Sequence, residues 1–186
     1  MTKKELLRKR ILTRLREQPE RLRRLKSQRI ARKLHRLPEY REARAILCYA
    51  DFDGEVETRL ILEEALAGRK KVFVPVVTDR ARRHMVVAQI KDLEADLAHK
   101  GPYGIPHPLA LSSREIALKT LDLILLPGVA FVRQGKQLGR GGGYFDRFLS
   151  RVPSGVPRVG LAFRFQKVER LPREEHDQPV QRVITD

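Results

Sequence analysis

The sequence predicts an α/β protein, a mostly parallel sheet covered on both faces by helices, with an N-terminal helical arm packed on it. Two observations predict this. Short aliphatic runs alternate with segments of helical periodicity, the pattern of strands buried on both faces by crossover helices. The first 36 residues instead repeat apolar residues at helical spacing only. With 186 residues, 41% of them apolar, the chain is long enough for one sizeable core and too short for a second full domain. A single domain over 1–186 is therefore expected, with a basic helical arm at 1–37 and an α/β body at 45–186.

In the arm, Leu7, Ile11 and Leu15 recur every fourth residue, and Ile30, Leu34 and Leu37 follow at i, i+4 and i+7. Helices are predicted at about 3–17 and 20–36, with Pro19 between them and Pro38 ending the pair. Residues 45–50 read as a strand and 58–67 as a helix stopped by Gly68. The valine-rich run 71–77 is the next strand, and 86–90 a weaker one. Three prolines and two glycines in 100–108 make that segment a fixed loop. Residues 121–126 are the strongest buried strand, 144–151 a helix behind a glycine run, and 158–162 and 182–185 the closing strands. Ligands of such sheets sit outside the carboxyl ends of the strands. Three loops leave strands there: 51–57, 128–144, and the segment from Arg164 onward.

A net charge of +16 points first to a nucleic-acid partner. Residues 1–36, however, hold 15 Lys/Arg against 3 Asp/Glu, while the remainder holds 24 against 20, so the excess belongs to the arm. Each arm helix carries one apolar stripe and packs on the body, which leaves much of the charge as a solvated face. No aromatic residue falls in the arm to stack on bases, so no nucleic-acid partner is expected. No run approaches the roughly 18 apolar residues of a membrane span, and a signal-peptide core is missing. A cytoplasmic monomer with no membrane partner is expected. Cys48, inside Ala45-Ile46-Leu47-Cys48-Tyr49, reads as a buried, inert thiol.

The densest chemical signal is Gly139-Arg140-Gly141-Gly142-Gly143-Tyr144-Phe145-Asp146, four glycines within five positions. Glycine allows positive φ and close approach of bare backbone to a ligand. Such a loop before a helix is either a phosphate cradle or a tight turn. Arg140 as a forked cation and Asp146 as a hard carboxylate for Mg²⁺ favour the cradle. It is no Walker A motif, because six residues separate Gly128 from Gly135 and Lys136 is followed by Gln137. The acidic residue of a dinucleotide fingerprint is missing too. Asp51-Phe52-Asp53-Gly54-Glu55 lacks the further ligands of a calcium loop; helix capping by Thr58 or Glu57 accounts for the acidic cluster, and Glu55 at the sheet's mouth is a candidate ligand contact. His176-Asp177 reads as an exposed polar turn or a metal or acid/base site.

Taken together, Pro127-Gly128-Val129-Ala130-Phe131, Gly135 and the run from Leu138 to Leu149 resemble the signature of the 5-formyltetrahydrofolate cyclo-ligase family. The resemblance continues in Lys4 and Arg8, in Glu55-Val56-Glu57-Thr58, in residues 101–106, in Gly160-Leu161-Ala162-Phe163, and in Leu171-Pro172 with His176-Asp177. It implies a three-layer α/β sandwich and an ATP- and Mg²⁺-dependent ring closure. The formyl oxygen of 5-formyltetrahydrofolate attacks the γ-phosphate, and the nitrogen-10 amine then displaces phosphate to give 5,10-methenyltetrahydrofolate. By resemblance, Lys4, Arg8, Gln137, Leu138, Gly139, Arg140, Gly141, Gly142, Gly143, Tyr144 and Phe145 bind ATP. Arg140 and Tyr144 face the transferred group and the folate, Glu55 and Tyr103 hold the pterin, and Asp146 and Asp177 serve Mg²⁺.

Three positions depart from the family pattern: His107 where Glu is common, Asp51 where Ser is common, and Gly142 where some members carry Lys. The last leaves one cation fewer at the phosphates and more of the charge stabilisation to Arg140. Two rivals are a nucleic-acid-binding protein using the arm, and an ATP-dependent ligase of the same fold with another acceptor.

Overall fold

The computed structural model describes residues 1–108, 118–132, 135–171 and 179–186. Helix α1 (Lys3–Arg16) opens on a capping box, in which the Glu5 N–H donates to Thr2 Oγ1 (3.2 Å) and the Thr2 N–H to Glu5 Oε2 (2.7 Å). Helix α2 (Glu20–Leu34) follows Pro19. Pro38 does more than end the pair, because it opens a short helix α3 (Pro38–Glu42), where a missing first-turn N–H costs nothing.

Strand β1 (Ala45–Cys48) leads to α4 (Arg59–Ala67), β2 (Lys71–Asp79), β3 (His84–Ile90) and the one-turn α5 (Leu93–Asp96). Helix α4 stops at Gly68, yet Gly68 keeps φ −75° and Arg69 takes the left-handed conformation, φ +59°. Strand β4 (Leu123–Leu126), the short β5 (Ala130–Phe131) and β6 (Gln137–Leu138), helix α6 (Tyr144–Leu149), β7 (Arg158–Ala162) and β8 (Arg182–Thr185) complete the order. The β5–β6 ladder pairs Ala130 with Leu138 and Phe131 with Gln137, in a segment the sequence reading leaves as plain loop.

The main sheet has the order β3-β2-β1-β4-β7-β8, parallel throughout except for the β2–β3 hairpin. From β1 the chain moves first to one side, to β2, and later to the other, to β4. The switch point between β1 and β4 opens a crevice at their carboxyl ends.

Alternation along the strands sorts the core into two layers. Ile46, Cys48, Leu123, Leu125, Val159 and Leu161 face one cluster, which also takes Ile11 and Leu15 of α1, Ile30 and Leu34 of α2, and Ile61 and Leu62 of α4. Ala45, Leu47, Ile124, Leu126 and Ala162 face the other, closed by Phe148 and Leu149 of α6 with Val152 and Val156. Helices on both faces make the three-layer α/β sandwich, and the arm's apolar stripes are part of the first layer. Burial pushes the Cys48 thiol up, so it stays protonated and inert.

Phe131 fixes where the glycine segment leaves the sheet. A Cβ at Gly128 would lie 2.3 Å from its Cζ and one at Gly160 2.6 Å from its Cε1, so the ring occupies space that both glycines vacate. Gln166, in the helical turn Arg164–Gln166 that follows β7, donates from Nε2 to the carbonyls of Gly128 (2.6 Å) and Val129 (3.2 Å). The described residues of the loop from Arg164 thus prop the glycine segment from behind, and none of them lines the crevice. Phe131→Ala is expected to cost about 3–5 kcal/mol, read as a lowered urea midpoint at unchanged slope. A loss under about 1 kcal/mol would show the ring is dispensable.

Candidate active site

After β1 the chain runs over the end of α4 and back under α1. Asp51 Oδ1 accepts from the Thr58 N–H (2.8 Å), so Asp51 satisfies the helix start that Thr58 or Glu57 is expected to cap. Thr58 Oγ1 lies 2.7 Å from the Tyr49 carbonyl, and Glu57 pairs with Arg23 of α2 (2.9 Å). The extra charge at position 51 is therefore directed at a helix N-terminus. The chain then turns at Asp53 (φ +51°) and Gly54 (φ +83°), an Asp-Gly turn suited to positive φ. A Cβ at Gly54 would meet the Leu15 carbonyl oxygen at 2.3 Å, so this loop is seated directly on the last turn of α1.

A line of alternating charges crosses this seat. Arg16 of α1 grips Asp53 with two bonds, Nε–Oδ1 2.8 Å and Nη2–Oδ2 2.9 Å. Asp53 Oδ2 also accepts from Arg140 Nη1 (2.7 Å), and Arg140 Nε donates to Glu55 Oε1 (2.9 Å). The Arg140 guanidinium lies 4.2 Å above the Phe52 ring. The Arg16 bonds, with those of Arg140, hold the Asp53 carboxyl below its ordinary value. Glu55 is only 6% exposed, and burial pushes its carboxyl up to about 7, against the opposing pull of Arg140.

That shift has a sign. A carboxyl raised from 4.5 to about 7 adds stability that is complete below 4.5 and lost as pH rises through about 7. Asp53, held low, acts oppositely: its contribution is present above 3.8 and lost as pH falls further. Urea unfolding at about pH 5 and about pH 8 should show wild-type stability falling more between them than that of Glu55→Gln. Equal falls would remove the assignment.

The glycine loop faces this line. Gly141 (φ +100°) and Gly143 (φ +66°) take left-handed conformations. Arg8 donates from Nε to the Gly139 carbonyl (3.0 Å), and its Cζ lies 3.6 Å from where a Cβ at Gly141 would stand. A Cβ at Gly142 would come 2.7 Å from Tyr144 Cδ2, so the Tyr144 ring folds back onto the bare backbone. Its hydroxyl sits 3.1 Å from that of Tyr103, itself at φ +64° with Arg80 4.5 Å over its ring. This bond holds the Tyr103 hydroxyl below its ordinary value and the Tyr144 hydroxyl above, consistent with Tyr144 as donor.

These parts enclose a cavity of about 730 Å³ at the switch point, lined among others by Tyr49, Glu55, Gly128, Tyr103, Arg140 and Tyr144. Gly139, Gly142, Gly143, Phe145 and Asp146 also line it. Gln137 does too, 7% exposed, with a buried Oε1 that has no hydrogen-bond partner among the described residues. Leu138 is buried in the core, its carbonyl accepts from the Val129 N–H (2.7 Å), and it is not among the residues lining the cavity. Lys4 lies one turn before Arg8 on the same face of α1. His107 lines the cavity, with Nδ1 2.8 Å from the Pro108 carbonyl. Asp177 lies outside the described residues.

The sequence reading misses Arg16 and Asp53. Arg16 is one of 15 basic residues in the arm, and Asp53 sits in the discarded calcium-like cluster. The Asp53-Gly54 turn signal was the available clue. Among the described residues no three His, Cys, Asp or Glu side chains cluster to hold a metal. A single carboxylate, Asp146, suits Mg²⁺, which is bound through one or two carboxylates together with substrate phosphates.

Fold and cleft define an α/β enzyme scaffold whose switch-point cavity is bordered by a glycine-rich loop. The model of the 5-formyltetrahydrofolate cyclo-ligase family matches residues 1–186, and the chain belongs to that family. It is 34% identical over 146 residues to the 5-formyltetrahydrofolate cyclo-ligase of Haemophilus influenzae, covering 77% of this chain and 76% of that one. Identity to the Mus musculus cyclo-ligase is 32% over 152 residues, 78% and 75% of the two chains. The NMR structure of Aquifex aeolicus 5,10-methenyltetrahydrofolate synthetase superposes with a TM-score of 0.84 at 33% identity, over 99% of this chain and 90% of that one. A synthetase from Mycoplasma pneumoniae shares the fold, with a TM-score of 0.76 at 21% identity over 98% of each chain.

Proposed function

We propose that this chain converts 5-formyltetrahydrofolate to 5,10-methenyltetrahydrofolate, with ATP going to ADP and phosphate, inside the switch-point cavity. The observation that carries the proposal is the direct Arg140–Glu55 contact, 2.9 Å. It joins the glycine loop that would hold a triphosphate to the buried carboxylate that would hold a pterin, so the two substrates meet at one point.

Glu55 accepts N–H groups of the pterin from beneath, and Tyr103 stacks at the mouth of the cavity. The glycine loop and Arg8 hold the triphosphate through backbone N–H groups and charge. Helix α6, with six residues, adds little dipole, so loop N–H groups and arginines carry the anion. Arg140 stabilises the charge that spreads over the transferring phosphoryl group as the formyl oxygen bonds to phosphorus and the bond to ADP breaks. The nitrogen-10 amine then attacks the formyl carbon, loses its proton, and the carbon–oxygen bond breaks with departure of phosphate. Asp146, with Asp177 by resemblance, would hold Mg²⁺ at this site, and the ion would supply neutralisation of phosphate charge. Positioning supplies the rest of the rate, and no protein nucleophile is needed.

Purified protein with 5-formyltetrahydrofolate, ATP and Mg²⁺ is expected to produce methenyl absorbance, and to produce none when either ATP or Mg²⁺ is left out. Folded protein that gives no absorbance with all three present would sink the reading.

A further inference from the structure

We infer that Arg83, at the tip of the β2–β3 hairpin, is a phosphate-binding residue of the nucleotide site and grips the terminal phosphate of ATP. This rests on the nucleotide reading above and extends it to an element that the sequence motifs do not mark.

The charge around the glycine loop calls for such a residue. Arg140 is shared between Asp53 and Glu55, and Asp53 is shared again with Arg16, so these four side chains largely balance one another. Position 142, within the loop, carries no cation. A triphosphate is a dense anion, and Arg8 stands at the Gly141 end of the loop.

Arg83 stands at the other end. Its Nη1 lies 3.9 Å from where a Cβ at Gly143 would be, one residue before Tyr144. Its positive field bears on the hydroxyls of both Tyr103 and Tyr144. The tip is held in place: Arg82 N–H donates to Asp79 Oδ1 (2.9 Å), and Arg147 of α6 donates to the Arg82 carbonyl (3.4 Å). Arg151 donates to the Met85 carbonyl (3.2 Å) and ties β3 to the far end of α6. Arg83 itself takes φ +54°, a left-handed conformation that a non-glycine residue adopts at a cost.

The three arginines of the tip are not equivalent. Arg80 stacks on Tyr103 (4.5 Å) and Arg82 faces Asp79 (3.7 Å). Among the described residues Arg83 makes no ion pair or side-chain hydrogen bond. A guanidinium held beside glycine backbone and given no carboxylate is matched to an external anion. Its place next to Tyr144, at the end of the loop nearest the transfer point, assigns it the terminal phosphate, while Arg8 at Gly141 serves those behind.

The test is calorimetric titration of the full chain, with Mg²⁺, using a non-hydrolysable ATP analogue, ADP and 5-formyltetrahydrofolate. Wild type is compared with Arg83→Ala, Arg83→Lys and Arg82→Ala. Arg83→Ala is expected to weaken the ATP analogue at least about fivefold and ADP less than about twofold, with the folate unchanged, since a lost charged hydrogen bond acts only on the group it held. Arg83→Lys should recover part of the loss, and Arg82→Ala should resemble wild type. Should Arg83→Ala lower the melting temperature, the Lys variant decides, through its ATP-to-ADP affinity ratio. Unchanged affinity for the analogue, an equal loss for ADP, or a loss confined to the folate would each overturn the assignment. Wild type that binds the folate and no nucleotide would instead overturn the nucleotide reading, and the inference with it.

Discussion

Arg140→Ala is expected to lower turnover on the order of a hundredfold, the effect of removing a preorganised charge worth about 3 kcal/mol from a transferring group. The structure adds a second loss. Arg140 is the only cation bonded to Glu55 among the described residues, and the remaining bond to its carboxylate, from the Phe52 N–H, is 3.4 Å long. Without the guanidinium, the pull that opposes burial disappears, and Glu55 turns neutral over a wider pH range. Folate binding should weaken together with turnover, so kcat/KM falls further than kcat. Arg140→Lys should restore only part, because a single ammonium cannot span Asp53 and Glu55 together as the planar fork does. The fold should survive, since the network lies at the cleft and outside both hydrophobic clusters. Turnover and a thermal melt check both halves of the expectation; unchanged turnover in folded protein would take Arg140 out of the chemistry.

Gly54→Ala should be among the most damaging single-methyl changes. The added carbon would stand 2.3 Å from the Leu15 carbonyl oxygen and 2.6 Å from its carbon, and backbone cannot swing aside as a side-chain tip can. Left-handed φ adds its own cost at +83°. Together these amount to about 2–4 kcal/mol of stability. Relief comes by lifting the loop from α1, which breaks the Arg16–Asp53 fork and lets Arg140 drift from its place. Activity should therefore fall along with stability. A melting temperature within about 2 °C of wild type would show that α1 and the loop are not in firm contact.

How much of this was legible in the sequence varies with the range of the interaction. Strands 158–162 and 182–185 and the start of α1 are read to the residue, because local patterning and capping set them. Helix α3 is missed because Pro38 was read only as a stop, although proline also suits a first helical turn. The two-residue strands β5 and β6 are too short to show any period, and Gln166, which props them, is distant in sequence. In the site, Glu55, Arg140 and Tyr144 stand out in the sequence as candidate ligand contacts, and all three line the cavity. Their pairings do not stand out, since the Arg140–Glu55 bond spans 85 residues and the Tyr103–Tyr144 bond 41. Arg16 and Arg83 were hidden by abundance: in a chain with 39 Lys/Arg, only three-dimensional neighbours tell a working cation from a solvated one.

The docking of α1 also bears on when the cleft exists at all during synthesis. Arg8 reaches the Gly139 carbonyl across 131 residues, whereas Arg16 needs only the 37 that lead to Asp53. On a ribosome, α1 can settle on the 51–57 loop early, yet it must wait for the glycine segment to emerge before its other half has a partner. Closing so long a loop is among the slower steps open to a chain of this size. Nascent chains that stop short of residue 139 should carry a docked but functionless helix, and nucleotide affinity should arrive only late in translation.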